Sequence, residues 1–310
     1  MASKWRPYLY LVMEAKMRTK NPLQSQSEII MRDIVMGVLI IFFLVFIIIP
    51  LGIALVGSFH KWNPLIGQFS YVGSDNYVRL IQDELFWKSL LNTFIFSVVV
   101  IFFRLLIGLA LAYAIFSKFI KFKNFFRTLY FIPVVTPLIA VAFVWRFMYN
   151  PQFGLFAQLF GSDLNWLKDS RAALPAIEIM TVWKDTGYAV VLFYAALCGL
   201  PQDVLDAVSI DGASSWQKFR YVTFPLLKPM TLFVVITSII SYLQAYIQVM
   251  VLTEGGPGTA TYLSSYMIFN EAFVKYHFGY ASSMSFILFI IIAVLTYLSF
   301  KVSADKEEVV

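Results

Sequence analysis

Six apolar stretches, each long enough to cross a lipid bilayer, dominate this sequence. A helical crossing needs about 20 mostly apolar residues rising about 1.5 Å each. The candidates are residues 34–56, 94–116, 130–148, 174–197, 230–252 and 284–300, the fourth interrupted by Lys184 and Asp185. In hydrocarbon every backbone N–H and C=O must be paired internally, so each stretch is expected as a helix. Of 310 residues, 60% are hydrophobic and only 14% charged, against roughly 25% charged in a soluble domain. A soluble core would spread its apolar residues through short periodic runs. The expected fold is an all-α integral membrane protein with six transmembrane helices.

Charge sets the predicted orientation. Of 24 Lys and Arg, 15 fall in the loops on one side of the predicted membrane and six on the other. The remaining three, Arg104, Arg146 and Lys184, lie within spans. Cytoplasmic loops carry the excess of cations, so both termini are placed in the cytoplasm. The net charge of +6 therefore orients a membrane protein and does not point to a nucleic-acid partner. The chain divides into a cytoplasmic segment 1–33, a transmembrane domain 34–300 and a cytoplasmic tail 301–310. Within the first, the apolar patch 7–13 is too short to cross and is expected as an interfacial helix. The first span begins too deep for a cleaved signal, and no small-residue cleavage site follows it.

Cys198 is a lone cysteine, and His60 and His277 are isolated in sequence. Neither a disulfide framework nor a metal cluster is expected, and both histidines read as ordinary loop residues. Trp62, Trp87 and Trp166 fall in predicted outer loops, and Trp145 with Arg146 near an outer span end. Such side chains anchor at the headgroup level.

The loop 199–229 is far longer than the two to eight or so residues that join antiparallel helices. Pro201 suits a first helical turn, and Val204, Leu205 and Val208 give an apolar face at helical spacing. Asp211-Gly212 then breaks the run, since Gly tolerates the positive φ of a sharp reversal. Ser214 and Gln217 form a capping-box pair for a second helix containing Trp216, Phe219 and Tyr221, with Pro225 and Pro229 ending the run. A rigid hairpin of this kind is a docking element or, more simply, a connector.

The run Leu205-Asp206-Ala207-Val208-Ser209-Ile210-Asp211-Gly212-Ala213, with Phe219 and Pro225 beyond it, resembles the coupling-loop (EAA) motif of ATP-binding-cassette importer permeases. Asp206 replaces the usual Glu and Val208 the second Ala. Asn150-Pro151-Gln152-Phe153-Gly154-Leu155, Trp183-Lys184-Asp185-Thr186-Gly187, Gly199-Leu200-Pro201, Leu252-Thr253-Glu254-Gly255-Gly256-Pro257 and Phe278-Gly279-Tyr280-Ala281 resemble further signatures of the carbohydrate, maltose-transporter-like branch, in the family's order.

The resemblance implies a type I importer permease fold with a cytoplasmic coupling helix, in the cell (inner) membrane. It implies a sugar substrate moved inward by alternating access, a second homologous permease, a cytoplasmic ATPase dimer and an extracellular or periplasmic solute-binding protein. No G-x-x-x-x-G-K-[ST] cradle occurs, so the chain itself is expected to be no enzyme and to bind no cofactor, ATP and Mg belonging to the ATPase partner. Asp206, Ala207, Asp211, Gly212 and Ala213, with Phe219 and Pro225, are the expected coupling residues. Gly212 supplies the turn, Ala207 and Ala213 permit close packing, and Asp206 is placed to meet a basic residue of the ATPase.

Polar groups inside spans mark function by default. Thr181, Lys184, Asp185 and Tyr188 in the fourth span, and Ser238, Ser241, Tyr242, Gln244, Tyr246 and Gln248 in the fifth, are the candidate sugar-path residues. Several match sugar-contacting positions of the maltose-type permease; interhelical packing is the alternative role. Lys184 and Asp185, one residue apart on a helix, are not expected to satisfy each other. Arg104 is expected to meet Asp185 across the bundle. A secondary, ion-coupled transporter is the main rival class, although no inverted repeat is visible. An importer permease for a polyol or glycerol phosphate is the second, and a membrane-embedded enzyme, for which no nucleophile–base pair is present, the third.

Overall fold

A computed structural model describes residues 26–117, 122–160 and 165–304. It divides into two units, residues 1–56 and 57–310. The predicted interfacial patch 7–13 and most of the C-terminal tail lie outside the described residues.

The described part of the first unit is helical throughout. Helix α1 (Ile30–Ser58) carries the most apolar stretch of the chain, and none of that stretch is buried within the protein. A π turn at Leu44–Ile48 interrupts its regular hydrogen bonding.

The second unit opens with something the all-helical expectation lacked. Strands β1 (His60–Asn63) and β2 (Gln68–Tyr71) pair antiparallel, His60 opposite Tyr71, around a turn ending at Gly67. Helix α2 (Asp75–Gln82) follows, and then α3 (Glu84–Phe116), at 33 residues longer than the predicted second span. The predicted third span is two helices, α4 (Lys123–Val135) and α5 (Leu138–Met148), bent by 96°. Pro137 causes the break: it forces Thr136 out of the helical region, to ψ 134°. Short α6 (Leu155–Phe160) precedes α7 (Ala173–Cys198), which covers the predicted fourth span as one continuous helix despite its charges.

Helices α8 (Gln202–Ile210) and α9 (Ser215–Leu226) form the predicted hairpin, with α8 turned 75° from α7. The predicted fifth span is also broken. Helix α10 (Lys228–Leu243) ends at Gln244, and α11 (Ile247–Leu252) restarts after Tyr246, whose φ and ψ are −145° and −32°. After α12 (Ser264–Phe269), α13 (Phe278–Ala304) provides the last span and starts six residues ahead of the predicted boundary.

The spine of this unit is α3 packed along α7, with α4 on the flank of α7. Gly187 makes that flank possible, because a Cβ there would collide with the Tyr130 carbonyl. One buried cluster joins Phe96, Ala142, Ile177, Met180, Tyr242 and Val249. A second joins Ala112, Ala189, Phe193, Leu227 and Val234. The polar cluster below lies where α3, α7 and α10 meet.

Candidate functional site

Arg104 of α3 is 5% exposed, and an unpaired charge at such a place would be costly. Its Nη1 donates to Ser238 Oγ of α10 at 2.8 Å. Its guanidinium carbon lies 5.4 Å from the Tyr188 ring centre and 5.7 Å from that of Tyr242, within the range of cation–π attraction. The expected Arg104–Asp185 pair is not formed. Instead Tyr242 stands between them: its ring faces Arg104 and its hydroxyl donates to Asp185 Oδ2 at 3.2 Å. Arg104 Nε is buried without a partner.

Lys184 and Asp185 also depart from expectation, with Lys184 Nζ 3.5 Å from Asp185 Oδ1. Their backbone positions diverge around the helix, but the long lysine side chain bends back far enough to span the difference.

The ten predicted path residues separate into two sets. Asp185 and Tyr246 are half-buried, and Tyr188, Ser241 and Gln244 are exposed. Thr181, Lys184, Ser238, Tyr242 and Gln248 are buried behind them. Thr181 and Ser238 donate their hydroxyls back to Ile177 and Val234 carbonyls of their own helices. Ser241 does likewise to Thr237 at 2.8 Å, yet remains exposed. The break after Leu243 falls within this set. Its carbonyl accepts from Ser265 Oγ at 3.2 Å, and the Tyr246 ring stacks on Phe269 at 5.6 Å. Irregular backbone at membrane depth is tolerated where protein or a polar cavity satisfies it.

The hairpin presents a different surface. Asp211 caps α8, and Gly212 turns at φ 79° with open space around it. Ser214 and Gln217 make both capping-box bonds, Ser214 N to Gln217 Oε1 at 2.8 Å and Gln217 N to Ser214 Oγ at 3.3 Å. Lys218 Nζ reaches across to Ser209 Oγ at 2.8 Å, tying the two helices together. Leu205 is buried, whereas Asp206, Ala207, Ile210, Asp211 and Gly212 are exposed. Asp206 accepts from Gln202 Nε2 at 2.9 Å within the same helix. Ala213, Phe219 and Pro225 are half-buried, and the Phe219 ring meets Tyr113 of α3 at 4.8 Å. The hairpin therefore packs on α3 through Phe219 while its α8 face and turn stay open.

The model of the binding-protein-dependent transport system inner membrane component family matches residues 104–305. This chain belongs to that family. Like other inner membrane components it carries several spans, three helices being long and apolar enough singly and three more as bent pairs among the described residues. Among its relatives is the trehalose/maltose transport system permease protein of Thermococcus litoralis, 34% identical over 86% of this chain and 90% of that one. Another is the sn-glycerol-3-phosphate transport system permease protein of Shigella flexneri, 30% identical over 84% and 90% of the two chains. The fold matches a crystal structure of a bacterial ABC transporter involved in import of the acidic polysaccharide alginate. That match has a TM-score of 0.78 over 90% of this chain and 98% of the other, at 20% identity. The type I importer permease fold is thus shared.

Three sites escaped the sequence reading. Glu178 of α7 is 7% exposed with Oε1 unpartnered, and lines an apolar cleft of about 1260 Å3 beside Trp145 and Trp183. A single acid in an apolar run was the available signal. Arg146 does more than anchor at an interface, since Nη1 donates to the Val251 carbonyl at 3.0 Å and pins α5 to α11. His277 is no isolated loop residue: Nδ1 lies 2.9 Å from Glu271 Oε2, with Lys275 Nζ on the other oxygen at 2.6 Å.

Proposed function

We propose that this chain is one permease subunit of an ATP-driven importer moving a di- or oligosaccharide into the cytoplasm by alternating access. The observation that carries this reading is the open α8 face and Gly212 turn on a hairpin braced against α3, next to the family membership. A hairpin fixed to the bundle at Phe219 and free at Asp206–Ala213 can pass the motion of a docked ATPase dimer into the helices as a rigid body. ATP and Mg are bound by that dimer. Both termini and the hairpin lie on the cytoplasmic side, as the distribution of cations supports. A solute-binding protein delivers the sugar to the opposite face.

The sugar path runs along the exposed edge formed by Tyr188, Ser241 and Gln244, with Asp185 and Tyr246 partly accessible. A second, homologous permease completes it. Hydroxyl-pairing groups beside flat aromatic faces suit a sugar. The nearby cations do not form a phosphate clamp. Arg104 is engaged by Ser238 and two tyrosine rings, Lys184 is paired, and the most accessible charge is the Asp185 carboxylate. This favours a sugar over glycerol phosphate.

Reconstitution of the chain with its partner permease and ATPase in proteoliposomes tests the reading. Uptake of labelled maltose or a longer oligosaccharide should require internal ATP and external binding protein. Uptake driven by an ion gradient without ATP would reverse the assignment.

A further inference from the structure

A second cleft, of about 810 Å3, lies between α3 and α9 and apart from the path residues. Leu106, Leu109 and Tyr113 line it from α3, and Trp216, Phe219 and Arg220 from α9. The Tyr113–Phe219 contact at 4.8 Å links its two walls.

Its chemistry changes along its length. Arg220, which is exposed, follows Phe219, whose ring meets Tyr113 of α3, so it stands at the Tyr113 level of the cleft. Among the described residues no carboxylate pairs with it, its nearest ring being Tyr221 at 6.0 Å. The acids of the hairpin, Asp206 and Asp211, sit on α8 and do not line the cleft. Trp216 beside it is 69% exposed, an amphipathic ring suited to the headgroup level. From Tyr113 the trough then follows α3 inward to Leu106, seven residues and about 10 Å deeper. Leu106 is 55% exposed and lies within an apolar helix.

A soluble protein docked on α8 cannot reach Leu106, which sits ten residues, about 15 Å, from the end of α3 at Phe116. The occupant must enter from the bilayer. A free guanidinium at the interfacial end, an aromatic collar and an apolar trough running inward follow the order of groups in a phospholipid. We propose that this cleft binds an anionic phospholipid of the leaflet on the hairpin side. Its phosphate pairs with Arg220, and one acyl chain lies along Leu109 and Leu106. The net cationic character of these loops concentrates anionic lipid there. The bound lipid spans α3 and α9, the contact that holds the coupling hairpin to the bundle.

Photolabelling of the complete importer complex in nanodiscs tests this. Diazirine-bearing phosphatidylglycerol and phosphatidylcholine are compared, and crosslinks are mapped by peptide mass spectrometry. The expected result is preferential phosphatidylglycerol labelling of residues 106–113 and 215–224. Arg220→Gln should lower it about fivefold, the weight of one cation at an anionic surface. Arg220→Lys should retain most of it, and Lys301→Gln should leave it unchanged. Equal labelling by the two lipids, or indifference to Arg220→Gln, overturns the proposal. So does a cleft that takes up neither lipid and crosslinks instead to a helix of the partner permease.

Discussion

Tyr242 holds Asp185 through a 3.2 Å hydrogen bond while turning its ring toward Arg104, so one tyrosine mediates between two charges on different helices. Arg104 is thereby fixed without contacting the acid, and Asp185, with Lys184 Nζ 3.5 Å from its other oxygen, remains half-buried. Tyr242→Phe retains the ring and removes the hydroxyl. A neutral hydrogen bond of this type contributes about 1 kcal/mol, more when a charge is involved. Apparent KM for sugar uptake should rise roughly fivefold, with basal ATPase activity and expression unchanged. An unaltered KM would remove Asp185 orientation from the account.

Arg104 should not tolerate lysine. Its guanidinium meets a hydroxyl and two ring faces at once, an arrangement open to a planar fork and closed to a point charge. Arg104→Lys and Arg104→Met should both destabilise the detergent-solubilised chain by about 1.5–3 kcal/mol, the value of a hydrogen bond to a charged group. Thermal unfolding followed by size-exclusion fluorescence reads this directly. A lysine variant as stable as the parent would show that charge alone matters.

Gly187→Ala should be far more damaging than its size suggests. The new methyl would collide with the Tyr130 carbonyl, a backbone atom that cannot rotate away. Overpacking of this kind costs about 1–3 kcal/mol. Gly199→Ala, whose methyl would meet its nearest neighbour at 3.6 Å, serves as the control. The first variant should lose monodispersity in detergent and the second should keep it.

What the sequence made legible was local, and what it concealed was tertiary. The hairpin could be read residue by residue, because Gly212, Ser214 and Gln217 each specify their own turn or cap. The apolar blocks could be read because a bilayer demands length. The break at Thr136 has its signal in Pro137, which disfavours the helical region for the residue before it. The break at Gln244–Tyr246 had none, since nothing in Gln-Ala-Tyr forbids a helix; packing of Tyr246 on Phe269 and the Ser265 bond accompany it. The β-hairpin was hidden by its four-residue strands, although Gly67 and the alternation Gln68-Phe69-Ser70-Tyr71 were visible. Whether Arg104 reached Asp185 depended on how α3, α7 and α10 are rotated, which no spacing within one helix reveals.

Ser214→Ala removes one of the two capping-box bonds at the start of α9. Such a change costs about 1 kcal/mol. Because the α9 face is braced by Phe219, the loss should stay local. Hydrogen exchange at the amides of Ser215, Trp216 and Gln217 should accelerate roughly fivefold, with α3 and α7 unaffected. Protection lost across the whole hairpin would mean that the cap, not the Phe219 contact, holds it in place.

The most direct test of coupling through the hairpin uses Gly212→Val in the reconstituted importer. At φ 79° an added Cβ meets nothing within 4 Å, so the cost of valine there begins with backbone strain, about 1–2 kcal/mol. The complex should still assemble, but the turn should shift. ATP hydrolysis, stimulated in the parent by binding protein and maltose or a longer oligosaccharide, should fall to its basal rate in the variant. Stimulation that survives the substitution undiminished would contradict coupling through this loop.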